Sequence, residues 1–269
     1  MTVPRIINVN RADLATSLTA STTATDTLAA NMQNDRKVSV HRSTGTSVSY
    51  TATWATAVTI GAVALPATNL TVNATIRVRL YDATSAGTLL ADSGVVAACP
   101  GLDLGLWSWT GAIDANAFPY GGASKSAVFF DPQISGVKRV EVDLVDTGNP
   151  AGFIDCARLI AGPWTVPEFG ASDATITPVD LTENKRADSG DLLSDRATTH
   201  QVMRVALPVM SETDRAAHFA MLRGNGAWRG VFVWLDAAQD KMIYGKLKPA
   251  PFDYAFYAHW ATNLEIESW

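Results

Sequence analysis

The sequence is poor in the residues that usually build reactive sites. Its four histidines, His41, His200, His218 and His259, stand singly, with no second histidine, cysteine or acid at a metal-ligand spacing. The two cysteines, Cys99 and Cys156, are far apart and in apolar company, which reads as two buried thiols and not as a disulfide. No Gly-x-Ser-x-Gly elbow is present, and Gly224-Asn225-Gly226 follows a helical stretch where a phosphate cradle would have to precede one. Only 17% of residues are charged, and the 21 Lys and Arg are scattered within a net charge of −5, so there is no basic stripe for a nucleic-acid backbone. No apolar run approaches the roughly 20 residues of a membrane helix. The opening Met-Thr-Val-Pro-Arg-Ile-Ile lacks the basic head and long apolar run of a leader. A soluble product made in a cytoplasm, with no nucleic acid, membrane insertion, cofactor or metal, is the expectation.

What the chain does have is hydrophobic content, 47% over 269 residues, and β patterning. In 71–82, Val72, Ala74, Ile76, Val78 and Leu80 alternate with Thr and Arg, the period of a strand with one wet face. Further strands are predicted over 36–43, 47–54, 57–65, 89–96 and 127–130. Residues 11–34, rich in Thr and Ala, read as an extended or irregular arm, because β-branched side chains lose freedom in a helix. Val140, Val142 and Leu144 mark a strand that ends near Asp146, and Thr147-Gly-Asn-Pro150 supplies a turn. Phe153 to Ala161 is then expected to return antiparallel to it. Gly162-Pro163-Trp164 closes this first unit, residues 1–164.

Residues 165–269 change character. Short strands are predicted over 174–177 and 179–181, and longer ones over 200–209, 230–236, 242–247 and 252–267. Between them, 211–223 reads as a helix with Ser211 as its cap, acids in its first turn, Arg223 in its last, and Gly224 as its stop. The fold class is therefore mainly β: a jelly-roll-like antiparallel β-sandwich followed by a smaller α+β domain.

Three groups of residues are candidates for a site. The glycine-bearing stretch 97–126 carries Trp107, Trp109, Phe118 and Tyr120, which either stack on a sugar or partner surface or cap the open end of the sandwich. Asp131, Asp143, Asp146 and Asp155 are solvated strand-end residues or a carboxylate or calcium set, with Asp143 and Asp155 facing across the predicted hairpin. Arg158, in an apolar strand, needs a carboxylate partner if it faces inward, and Asp155 or Glu141 is expected to provide it as a structural ion pair.

Asn149-Pro-Ala-Gly-Phe-Ile-Asp-Cys-Ala-Arg-Leu-Ile-Ala-Gly-Pro-Trp164, with the Arg77-Val-Arg-Leu-Tyr-Asp82 strand before it and the Arg204-Val-Ala-Leu-Pro208 to Gly230-Val-Phe-Val-Trp234 segment after it, resembles minor tail or distal tail-tip proteins of long-tailed bacteriophages. The first half is also similar to the galactose-binding-like, discoidin-type jelly roll. The resemblance implies a non-enzymatic virion subunit of the tail tip, assembling as a ring or hub with copies of itself and with tail tube, hub and tape-measure proteins. The rival expectation is a carbohydrate-binding module that contacts host-surface glycans through 104–120. A third, a glycan hydrolase acting through Asp131 and Asp143, requires those carboxyls roughly 5–10 Å apart.

Overall fold

The computed structural model describes residues 3–100, 122–235, 241–256 and 259–269. The chain is mainly β, an antiparallel β-sandwich followed by a smaller α+β unit. Strands β1 (Arg5–Ile7), β2 (Ser17–Ala20), β3 (His41–Arg42), β4 (Ser47–Thr68), β5 (Thr75–Tyr81), β6 (Leu89–Asp92), β7 (Val96–Ala97), β8 (Ser124–Val145), β9 (Asp155–Cys156) and β10 (Ile160–Gly162) precede the second unit. All but β1 join one sheet in the order β3-β9-β4-β8-β5-β6, with β2 and β10 on β4 and β7 on β5.

The frame of the sandwich is the pair β4 and β8, each 22 residues long and antiparallel to the other. Their register shifts between Thr53 and Ala62, beside Gly136, whose φ of +81° suits glycine. Here both strands pass from one layer to the other. Val48, Tyr50, Ala52 and Trp54 of the near half of β4 face Val63 and Leu65 of its far half across one core, which Ile76, Val78, Leu80, Val140, Val142 and Leu144 complete. The two runs read separately in the sequence, 47–54 and 57–65, are thus one strand.

The burial pattern along β4 records this change of place. Residues 48–54 alternate buried and half-exposed, whereas 60–68 are buried without interruption. A strand covered on both faces has no wet positions. The second cover is the other unit.

That unit contains β11 (Asp173–Asp180), β12 (Glu183–Arg186), β13 (Leu192–Asp195), β14 (Thr199–Met210), α1 (Glu212–Asn225), β15 (Gly230–Trp234), β16 (Met242–Lys248), β17 (Asp253–Phe256) and β18 (His259–Ser268). Its sheet runs β1-β15-β16-β18-β14-β11, with β17 on β18. The first strand therefore leaves the sequence unit 1–164 and adds to the second sheet, Ile6 opposite Val233 and Ile7 opposite Phe232. Helix α1 packs with Met221 and Leu222 on a core of Met203, Val205, Leu207, Ile243, Leu264 and Ile266. Ser211 caps it by accepting from the Asp214 N–H, as expected. Its stop lies two residues past the predicted Gly224: the helix continues to Asn225, and Gly226 takes φ +56°.

Two further expectations are corrected. The stretch 153–161 does not pair with β8, because β4 and β5 already occupy both edges of β8 over 139–145. It splits into β9 on β3 and β10 on β4. Residues 11–34 are no free arm: β2 pairs with β4, and Ala12, Leu18, Ala29 and Met32 are buried in the sandwich core. A few apolar side chains at the right positions are enough to anchor a Thr-rich segment.

At one end of the sandwich His41 is fully buried, its Nδ1 2.9 Å from the Tyr50 hydroxyl and its Nε2 3.1 Å from the Thr22 carbonyl. Burial lowers its pKa, although the Thr22 carbonyl and Asp155 oppose the shift. The unfolded chain thus takes up a proton at about pH 6.5 that the folded chain refuses. Stability from this group is complete above that pH and is lost as pH falls through it. The thermal midpoint is expected to drop between pH 7.5 and 5.5, and His41→Gln is expected to flatten that part of the profile. Equal slopes in the two proteins would remove His41 as the cause.

Candidate functional site

The two units meet along a zipper of apolar side chains. Ala62 and Ala64 of β4 and Ala127 and Phe129 of β8 pack against Ile7, Phe232, Met242 and Tyr244. The small side chains lie where the sheets approach, and a Cβ on Gly162 would collide with the Val9 carbonyl. Arg5 sits in this seam with its guanidinium 5.0 Å from the ring centre of Phe129, 4.8 Å from Trp164 and 5.2 Å from Trp234. On one side of the zipper the units diverge and leave a cleft of about 820 Å³.

The floor of the cleft is Arg158, between β9 and β10, with its side chain 4% exposed. Its Nη2 donates to Asp13 Oδ2 at 2.7 Å, its Nε to the Tyr244 hydroxyl at 3.2 Å and its Nη1 to the Met32 carbonyl at 3.4 Å. The Tyr244 hydroxyl in turn donates to Asp35 Oδ1 at 2.7 Å. One guanidinium thus ties together the N-terminal segment, the sandwich and the second sheet. Burial opposes its charge, yet Tyr244 and Asp13 raise its pKa, while burial raises the Asp13 carboxyl against the pull of Arg158. Burial also pushes the Tyr244 hydroxyl upward, so it stays protonated and can donate.

The walls come from Asn34 and Asp35 after the short 3₁₀ turn 29–33, from Asn8 and Asn10 after β1, and from Trp228, Arg229 and Lys246. Trp228 is 64% exposed, large for an indole. It stands where it does because Asn225, at the end of α1, donates to the Asn8 carbonyl at 2.8 Å and Gly226 turns the chain outward. Arg229 lies 4.5 Å from its ring centre. An apolar plate beside polar side chains and backbone groups suits a ligand with one apolar and one hydroxylated face.

Of the residues named from sequence, Arg158 is in the cleft, but its partner is Asp13 and not Asp155. Positions three apart on an extended chain point to opposite sides, and Asp155 accepts two bonds from Arg42 at 2.8 Å. Asp143 accepts from Ser49 at 2.6 Å and Arg79 at 2.7 Å, so it does not meet Asp155. Asp146 is buried on Thr71 and Asn149. Asp131 and Asp143 lie on opposite sides of the register shift in β8, Asp131 exposed and 3.7 Å from Arg5, Asp143 held by Ser49 and Arg79, so the two carboxyls share no partner. Among the described residues no group of three or more His, Cys, Asp or Glu could hold a metal ion, and no helix is long and apolar enough to cross a membrane. Cys99 and Cys156 are free and buried, their thiols pushed up to about 12 by burial. Trp107, Trp109, Phe118 and Tyr120 lie outside the described residues. The signal missed in the sequence was Trp228, an aromatic between a helix stop and a strand start.

A double-mutant cycle separates the two pairings of Arg158. Asp13→Asn with Arg158→Gln is expected to show coupling of about 1 kcal/mol or more in urea unfolding, and Asp155→Asn with Arg158→Gln coupling near zero. The reverse order would contradict the network.

No protein-family model matches the chain, and no curated protein matches its sequence. Among solved structures it is similar to a fucose-binding module of Streptococcus pneumoniae, at 13% identity over 58% of this chain and 95% of that one, with a TM-score of 0.37. It is also similar to the lectin domain of lectinolysin complexed with Lewis b antigen, at 16% identity over 57% and 95%, TM-score 0.39. A third is the family 32 carbohydrate-binding module of NanJ from Clostridium perfringens in complex with galactose, at 12% identity over 55% and 93%, TM-score 0.36. Likenesses of this degree transfer neither a ligand nor a site residue.

Proposed function

We propose that this protein is a non-enzymatic carbohydrate-binding subunit that holds a sugar in the cleft between its two units. The observation that carries the reading is Trp228, an exposed indole on the wall of a polar cleft. A pyranose has a face of C–H groups that stacks on such a ring and a rim of hydroxyls that needs donors and acceptors. Asn34 is exposed in the same cleft, and one Asp35 oxygen is taken by Tyr244, leaving the other for a hydroxyl. The solved structures named above bind fucose, Lewis b antigen or galactose by their own titles, which is in keeping with this reading without locating a site here. Trp228→Ala is expected to lower glycan affinity by roughly ten-fold or more, a loss of about 1.4 kcal/mol or more, in a glycan array followed by titration calorimetry. A variant that binds as well as the parent would refute the assignment.

The setting we infer is the tail tip of a long-tailed bacteriophage, a virion, where the chain meets copies of itself and other tail proteins. Besides the likeness of 149–164, one feature favours this. Strands β12 and β13 extend the β11–β14 hairpin beyond the sheet as a two-stranded arm, exposed along its length. Leu181, Leu192 and Leu193 on it are 54%, 60% and 60% exposed. Two strands alone are marginally stable in water, so an arm of this kind gains from a neighbour. Replacing 182–197 with a short Gly-Ser turn is expected to leave the monomer folded and to exclude it from particles, read by mass spectrometry of purified virions. Normal incorporation of the shortened chain would count against the arm.

A further inference from the structure

The charges of the cleft point to the class of sugar it takes. Five charged side chains line it: Asp13, Asp35, Arg158, Arg229 and Lys246. Arg158 is consumed by Asp13, Tyr244 and the Met32 carbonyl, and Asp35 is engaged by Tyr244. Arg229 and Lys246 form no ion pair within 4 Å among the described residues, and Arg229 acts only at longer range on Asp13. Elsewhere on the same sheet the pattern differs: Arg204 is held by Glu265, and Lys248 by Glu265 and Glu267.

The two unpaired cations also lie close together. Lys246 on β16 is the register partner of Gly230 on β15, and Arg229 is the residue before Gly230. Antiparallel partners are roughly 5 Å apart at Cα, so the two side chains start from neighbouring backbone, and both line the cleft. Arg229 is oriented as well as placed, since its guanidinium lies over the Trp228 ring. Arg229 covers one face of the indole, so a sugar would stack on the other face, with Lys246 lining the same cleft. In a chain of net charge −5, this is a local positive site in an acidic protein.

Resting on the reading of the cleft as a glycan site, we propose that its ligand is an acidic sugar whose carboxylate sits between Arg229 and Lys246. Arg229 supplies a planar fork for the two carboxylate oxygens and Lys246 a point charge. The asparagine and carboxylate side chains of the opposite wall take the hydroxyls.

The test uses the full chain in titration calorimetry, with a neutral galactose oligosaccharide, its galacturonate counterpart, a sialylated and a sulfated oligosaccharide, each at 50 and 300 mM NaCl. The uronate or the sialoside is expected to bind about ten-fold tighter than the neutral sugar, with the advantage shrinking at the higher salt. Arg229→Gln with Lys246→Gln is expected to bring the acidic sugar down to the parent's neutral level. Both residues are exposed, and an unchanged thermal midpoint would show that the variant is folded. Equal affinity for neutral and acidic sugars would overturn the acidic assignment and leave the glycan reading standing. A preference confined to the sulfated sugar would overturn the carboxylate. Binding to none of the four would overturn both.

Discussion

The far half of β4 has to be dry on both faces, and much of the architecture follows from that demand. Odd positions such as Val63 and Leu65 fill the sandwich, while Ala62 and Ala64 face the second sheet. Large side chains on one side and methyl groups on the other let one strand belong to two cores. The partners supplied by the second unit, Phe232, Met242 and Tyr244, are larger and fill the space the alanines leave. Each such side chain, once fully buried, is worth about 1.5–3 kcal/mol. The junction is thereby packed like an interior, and the two units share a wall.

Polar groups close to that wall act as its pins. Strand β1 is pinned on one side by β15 and on the other by a two-way backbone exchange with Thr165, 2.9 Å in each direction. Arg5 fills the aromatic seam, and Arg158 spans three segments that are distant in sequence. A buried guanidinium costs desolvation, which is tolerable only where its donors are used. Arg158 uses three, and that is why loss of any one partner is felt by the others.

Much of this was legible in the sequence where the pattern was local. Alternation marked β5 and the second half of β8, capping chemistry marked α1, and the isolated cysteines were read as buried thiols, as they are. Pairings between distant segments were not legible. A Gly-Asn turn after Asp146 looks like a hairpin whether or not the edge of β8 is free, and only the positions of β4 and β5 show that it is taken. Likewise, two isoleucines after Arg5 do not announce which sheet they will join. Asp155 and Arg158 lie near each other in sequence and pair with residues more than 100 positions away. Trp228 had no periodic context at all, since it stands in a connection.

The cleft is a consequence of this construction. Two twisted sheets joined by a zipper along one line part beyond it. Where they part, the backbone ends of several segments come together: the exit of β1, the 3₁₀ turn before Asn34, the end of α1 and the start of β15. Loops and strand ends carry side chains that no ladder constrains, so polar and aromatic groups can collect there without loss to either core. A groove between units held by an apolar seam is braced along that seam. The same packing that makes β4 dry on both faces thus gathers Trp228, Asn34 and Asp35 around one cleft.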